Sequence, residues 1–90
     1  MDWGDLRYVL ALADAGSMVA AARALGVEHT TVSRRIAALE RDLGVRLFMR
    51  TPDGQRPTSA GEAAIATART LQRSIAELKT VIAGADERPS

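Results

Sequence analysis

The sequence predicts a mainly α fold, with three short helices, a short two-stranded hairpin and one long final helix. Three observations predict it. Apolar residues recur at helical spacing in separate runs along the chain. Glycines at 16, 26 and 44 stand just past the first three runs. Between the third and fourth runs, Pro52, Asp53 and Gly54 form a strong turn signal flanked by short extended stretches.

The first helix is expected over Leu6 to Ala15, with Leu6, Val9, Leu10 and Ala13 on one stripe and Gly16 as its stop. Trp3, just before it, and Tyr8, within it, suit the packing of a small core better than nucleotide stacking. A second helix is expected over Met18 to Leu25. Ser17 can cap it by accepting from the orphan N–H groups of the opening turn. The run Ala20, Ala21 and Ala22 leaves no bulk where a neighbouring helix must come close. Gly26 sits where a sharp corner needs a positive φ, and Leu25 and Val27 bracket that corner as apolar plugs.

The third helix is expected from His29 to Leu43. Val32, Ile36, Leu39 and Leu43 recur at intervals of four, three and four, which sets the inward face. The opposite pole falls to Thr30, Arg34, Ala37 and Arg41, with Ser33 and Ala38 at its flanks. That face is low in bulk, bears hydroxyls near its start and is tipped with guanidinium groups. Val45 to Met49 then alternates like a short strand, and Arg56 and Pro57 return along a second, where Pro57 can sit only on an edge. Two helices pinned at a corner and followed by a strand pair make a winged helix-turn-helix.

A long helix begins after Thr58 or Ser59. Ser59 and Glu62 have capping-box spacing, and Thr58 is an equal candidate for the cap. Ala64, Ala68, Leu71, Ile75, Leu78 and Ile82 follow at alternating intervals of four and three, the seam of a coiled coil. About 24 residues at 1.5 Å each make a rod of roughly 36 Å. This seam suits dimerisation, and packing against the first helix is compatible with it. The polar residues 84–90 should end the helix as a hinge or frayed tail. The expected organisation is therefore 1–58 for the winged domain, 59–83 for the dimerisation helix and 84–90 for the tail.

Composition narrows the classes. Seventeen of the 90 residues are alanine and three are aromatic, so the core is thin in large side chains and self-association is expected. The absence of cysteine excludes disulfides and thiol chemistry, and fits a cytoplasmic protein. No apolar stretch approaches a membrane span, and the N-terminus lacks the basic-then-apolar order of a signal peptide. The net charge of +1 hides an asymmetry: residues 23–73 hold nine arginines against five acids, and the rest hold three basic groups against six acids. His29 is the single histidine. With no cysteine or acidic cluster beside it, it makes no metal or catalytic site, and no nucleophile–base spacing or phosphate cradle occurs elsewhere. The expectation is a non-enzyme with no cofactor and no small molecule bound.

The strings from Ala21 to Leu25, Val32 to Ile36, Leu39 with Glu40, Leu43 to Arg50 and Thr58 to Glu62, in this order, resemble the N-terminal DNA-binding domain of LysR-type transcriptional regulators. The resemblance covers about Leu6 to Ala83. It implies a bacterial, cytoplasmic winged helix-turn-helix that dimerises through the long helix and binds pseudo-palindromic double-stranded operators, with a tetramer as a further expectation for a full-length protein. It also implies continuation into a longer effector-binding domain, which these 90 residues do not hold. Several positions depart from the family pattern. Glu28, His29 and Thr30 replace the usual serine, glutamine and proline or small residue; Met18 replaces an aromatic and Val19 a hydroxyl residue; Pro57 stands where leucine is common.

The residues expected to meet DNA are Ser17 and Met18 at the start of the second helix, His29, Thr30, Thr31, Ser33, Arg34 and Arg35 on the third, and Arg50, Thr51 and Arg56 at the wing. Arg34 suits a guanine edge or a phosphate. Arg35 points to the side of the helix, as a phosphate contact or a plain surface charge. His29 is a base contact or a solvated first-turn residue, and Thr31 can instead back-bond to its own helix. Two other readings fit the same elements: a metal-oxyanion-sensing repressor of the ModE kind, and a winged helix used only for protein docking or dimerisation.

Overall fold

The computed structural model describes residues 2–85 of the chain. Its elements run in the order α1 (Leu6–Ala15), α2 (Met18–Leu25), α3 (His29–Leu43), β1 (Phe48–Thr51), β2 (Gly54–Pro57) and α4 (Ser59–Ala85), preceded by a 3₁₀ turn at Trp3–Asp5. The strands form one antiparallel hairpin in which Phe48 faces Pro57, Met49 faces Arg56, Arg50 faces Gln55 and Thr51 faces Gly54. The fold is thus the winged helix-turn-helix expected, with a long helix after the wing.

The first three helices end at glycines in the left-handed region, where an L side chain is strained. Gly26, at φ 69°, makes the corner between α2 and α3, and its backbone N–H returns to the last turn of α2. Ser17 caps α2 as expected, its Oγ accepting from the Ala20 amide at 3.1 Å. Glu28 precedes α3 with an extended backbone and makes no side-chain cap bond.

The core lies where α1, α2, α3 and the root of the wing meet, around Val9, Leu12, Ala21, Val32, Ile36, Leu39, Leu47 and Phe48. Each large apolar side chain buried there contributes about 1.5–3 kcal/mol. Ala21 and Ala22 are buried, so the small-residue run does let the neighbouring helices close. α1 packs against α2, α3, α4 and β2. Leu12, outside the expected α1 stripe, is therefore fully buried, and Tyr8 is buried with it.

Several expectations are corrected. Trp3 is 66% exposed, because it belongs to a 3₁₀ turn at the edge of the fold, where no residue is buried. Leu43 is 46% exposed, because α3 outruns the core after Leu39. The first strand starts at Phe48 rather than Val45, since the Leu47 amide and carbonyl are taken by Glu40 and Thr58 instead of a strand partner. The cap of α4 is a choice between the two equal candidates rather than a correction: Thr58 is the one used, its Oγ1 accepting from the Gly61 amide at 3.0 Å and donating to the Arg46 carbonyl at 2.6 Å. Finally, α4 runs through Gly84 to Ala85, past the end expected at 83. Residues 86–90 of the expected tail lie outside the described residues.

Candidate nucleic-acid interface

The outward face of α3 follows from its inward one. With Val32, Ile36 and Leu39 buried, Thr30, Ser33, Arg34 and Arg41 are left exposed on the other side, and Ala37 and Ala38 keep that face low. Arg34 makes no ion pair or hydrogen bond among the described residues, so its guanidinium fork is open to a ligand. Arg35 differs. Its Nη1 lies 3.7 Å from the Asp5 carboxylate, an ion pair that draws it towards the 3₁₀ turn. His29 and Thr30 stand exposed on the first turn of α3, and Thr31 is half-buried. The corner amides of Gly26 and Val27 are spent on α2 and those of Thr31 and Val32 on the Glu28 carbonyl, so it is the very start of α3, at His29 and Thr30, that favours an approaching anion.

The wing stands beside this face. A hollow of about 370 Å³ is lined by Met18 from α2, Ser33 and Ala37 from α3, Arg46 from the wing root, and Arg50 and Gln55 from the paired strands. It brings Met18, Ser33 and Arg50 together. Ser17 sits next to it as the α2 cap. Thr51 is drawn into the hairpin turn, its Oγ1 donating to the Gly54 carbonyl at 3.1 Å, and Arg56 is exposed opposite Met49.

Arg46 and Gln55 line the hollow but were not singled out from the sequence. Gln55 was within reach, because a two-residue turn at Pro52 and Asp53 puts it opposite Arg50. Arg46 was not, because its direction is set by an ion pair with Glu40 at 3.3 Å.

The long-helix seam divides into two parts. Ala68 is buried, and Ala64 and Leu71 are half-buried, on the α1 side of the same chain. Arg69 ties the same helices together through Asp14 at 2.8 Å. Beyond, Ile75, Leu78 and Ile82 are exposed, with Val81 beside them. Among the described residues, no group of three or more histidine, aspartate or glutamate side chains could hold a metal ion, and no helix is long and apolar enough to cross a membrane.

Comparison with known proteins agrees with this geometry. Residues 3–62 match the model of bacterial regulatory helix-turn-helix proteins of the lysR family. Over 71 residues, 79% of the chain, it is 45% identical to the HTH-type transcriptional regulator ClcR of Pseudomonas putida, and covers 24% of that protein. Over 89 residues, 99% of the chain, it is 42% identical to the Mau operon transcriptional activator of Paracoccus denitrificans, and covers 31% of it. The chain therefore spans about a quarter to a third of the length of these relatives. Its structure is similar to the DNA-binding domain of CbnR in complex with DNA, with a TM-score of 0.89 at 36% identity over 97% of this chain and 100% of that one. A BenM DNA-binding domain bound to benA site 1 DNA gives a TM-score of 0.89 at 26% identity, covering 94% and 99%. With that family model matched over residues 3–62 and the winged fold shared with these DNA-binding domains, the chain belongs to the lysR family of bacterial regulatory helix-turn-helix proteins.

Proposed function

We propose that this chain is a sequence-specific DNA-binding domain of a cytoplasmic LysR-type transcriptional regulator. It reads a pseudo-palindromic operator as a dimer, and the effector-binding part of such a regulator lies outside these residues. The observation that carries this is the outer face of α3: an exposed Thr30, Ser33 and Arg34 on a helix whose other side is buried at Val32, Ile36 and Leu39, with Arg34 left without a protein partner among the described residues. A helix presented this way, after a tight corner and beside a wing, has the shape that enters a major groove.

The roles divide by chemistry. Arg34 reads a guanine edge through its fork, with His29, Thr30 and Ser33 completing the base-facing set. Ser17, Met18 and Thr31 lie against the backbone, where the α2 cap and the start of α3 favour phosphate. Arg50, Thr51 and Arg56 meet phosphates or the minor groove from the wing. Arg35 contacts phosphate at the margin, in competition with Asp5. Two copies pair along α4 through Ile75, Leu78 and Ile82, the exposed outer half of the expected seam, while Ala68, and in part Ala64 and Leu71, are taken up by α1 of the same chain.

Selection of bound sequences from a random duplex library tests this reading. Enrichment of a palindrome with half-sites about one helical turn apart is expected, as is affinity that falls steeply with salt. Absence of binding to any duplex at low salt favours a protein-docking module instead.

A further inference from the structure

The hollow between α3 and the wing is rimmed with arginines, yet a carboxylate lies within it. Glu40, on α3, is only 14% exposed in its side chain. A negative charge placed there opposes an approaching phosphate unless it is otherwise engaged. Here it is engaged. Its Oε2 accepts from the Leu47 amide at 2.7 Å, from the Phe48 amide at 3.4 Å and from Arg46 Nε at 3.3 Å. Arg46 then closes the loop by donating from Nη2 to the Phe48 carbonyl at 3.3 Å. One oxygen on α3 thus holds the root of the wing.

Phe48 begins β1, and Arg50 lies two residues along the same strand. Two steps of a strand are about 7 Å and return to the same face. The pinned amide and the Arg50 side chain are therefore parts of one short, stiff lever, with Gln55 paired across from Arg50. The recognition helix and the wing are separate elements in sequence, and this carboxylate is the side chain that joins them at the root.

Resting on the DNA-binding reading above, we propose that Glu40 is a positioning residue for the interface. It sets the angle of the wing to α3, so that Arg50 and Gln55 stand where Ser33 and Arg34 need them, and it touches no DNA itself. The carboxylate's charge is spent on the two amides and Arg46, which leaves Arg50 as the unpaired cation of the hollow among the described residues.

The test is a pair of double-mutant cycles, read as dissociation constants over a salt series, on a duplex selected from a random library by the wild-type chain. Arg50→Ala is expected to weaken wild-type binding by about tenfold, the size of one charged contact, and to lower the salt slope by about one. In a Glu40→Ala background the same change should cost under about twofold and leave the slope unmoved, while Arg34→Ala keeps its full effect in both backgrounds. Additive effects of Glu40 and Arg50 overturn the proposal. So does an Arg50→Ala variant that binds like wild type, or a Glu40→Ala background that abolishes the Arg34 effect as well, since Glu40 then supports the whole domain rather than the wing. If Glu40→Ala does not fold, Glu40→Leu keeps most of the bulk and removes both acceptor oxygens. A reduced effect of Arg50→Ala is expected in that background, and an unreduced one overturns the proposal. A wild-type chain that binds no duplex at low salt overturns the DNA-binding reading itself, which is a distinct result.

Discussion

The amide of Gln55 donates to the carbonyl of Gly16 at 2.8 Å, so the tip half of the wing is tied to the corner between α1 and α2. The tie depends on Gly54. Its φ is 127°, and a Cβ built there meets the Gly16 carbonyl oxygen at 2.3 Å. The corner therefore limits what the hairpin can carry at its second strand. Gly54→Ala should cost about 2–4 kcal/mol through backbone strain and the clash together. Thermal unfolding checks it, with Tm expected to fall by roughly 10 °C or more. Faster hydrogen exchange at Gln55 should accompany the loss.

Arg34 and Arg35 are neighbours with different surroundings, and they should behave differently in DNA binding. Arg34 has no protein partner among the described residues, whereas Arg35 sits 3.7 Å from Asp5 with half its side chain in solvent. Arg34→Ala should weaken operator binding by about 1–3 kcal/mol and relax preference at one base position. Arg35→Ala should cost under about 1 kcal/mol, with no change in base preference. Competition binding with single-base operator variants measures both. Equal losses for the two arginines would assign the recognition to the wrong side of the helix.

Much of this arrangement was legible in the sequence, and the rest was not for identifiable reasons. The spacing of Val32, Ile36 and Leu39 set the inward face of α3 and so exposed Arg34 on the other. Spacing identifies a face but not how far the core extends along it. Leu43 continues the stripe into solvent, and Ile75, Leu78 and Ile82 do the same on α4. Leu47 and Phe48 are buried in succession, which no alternation anticipates, because the Glu40 carboxylate and Thr58 hold that segment from two sides. Leu12 escaped the α1 stripe because a central helix is covered on more than one side. In the site, hairpin register could have found Gln55. The Glu40–Arg46 pair that orients the wing root depends on a loop path that periodicity does not describe.

Thr58 and Ser59 were equal candidates for the α4 cap, and the hydrogen bonds separate them. Thr58 Oγ1 accepts from the Gly61 amide and donates to the Arg46 carbonyl, so it caps α4 and fastens the wing root at once. Ser59 is the first helical residue and is exposed. Thr58→Ala should destabilise the chain by about 1–2 kcal/mol, and Ser59→Ala by less than about 0.5 kcal/mol. Urea unfolding of both variants distinguishes them, and a larger loss at Ser59 would return the cap to the capping-box position.

The division of the α4 seam predicts that its residues fail in different ways. Ala68, 2% exposed, belongs to the packing of α4 on α1, while Leu78, 55% exposed, touches nothing that a single chain needs to bury. Ala68→Leu should overpack that contact and cost about 1–3 kcal/mol in unfolding. Leu78→Asp should leave the fold of one chain intact and separate the two. Sedimentation should then give the mass of one chain, with circular dichroism still showing folded helices. Because a dimer joins two half-site contacts, its loss should weaken binding to a palindrome by about 10²–10⁴-fold while sparing a single half-site. A Leu78→Asp chain that still sediments as a pair would place the joint elsewhere. The exposed Trp3 and Leu43, which line one apolar hollow with Leu6 and Ala64, would be the surface to mutate next.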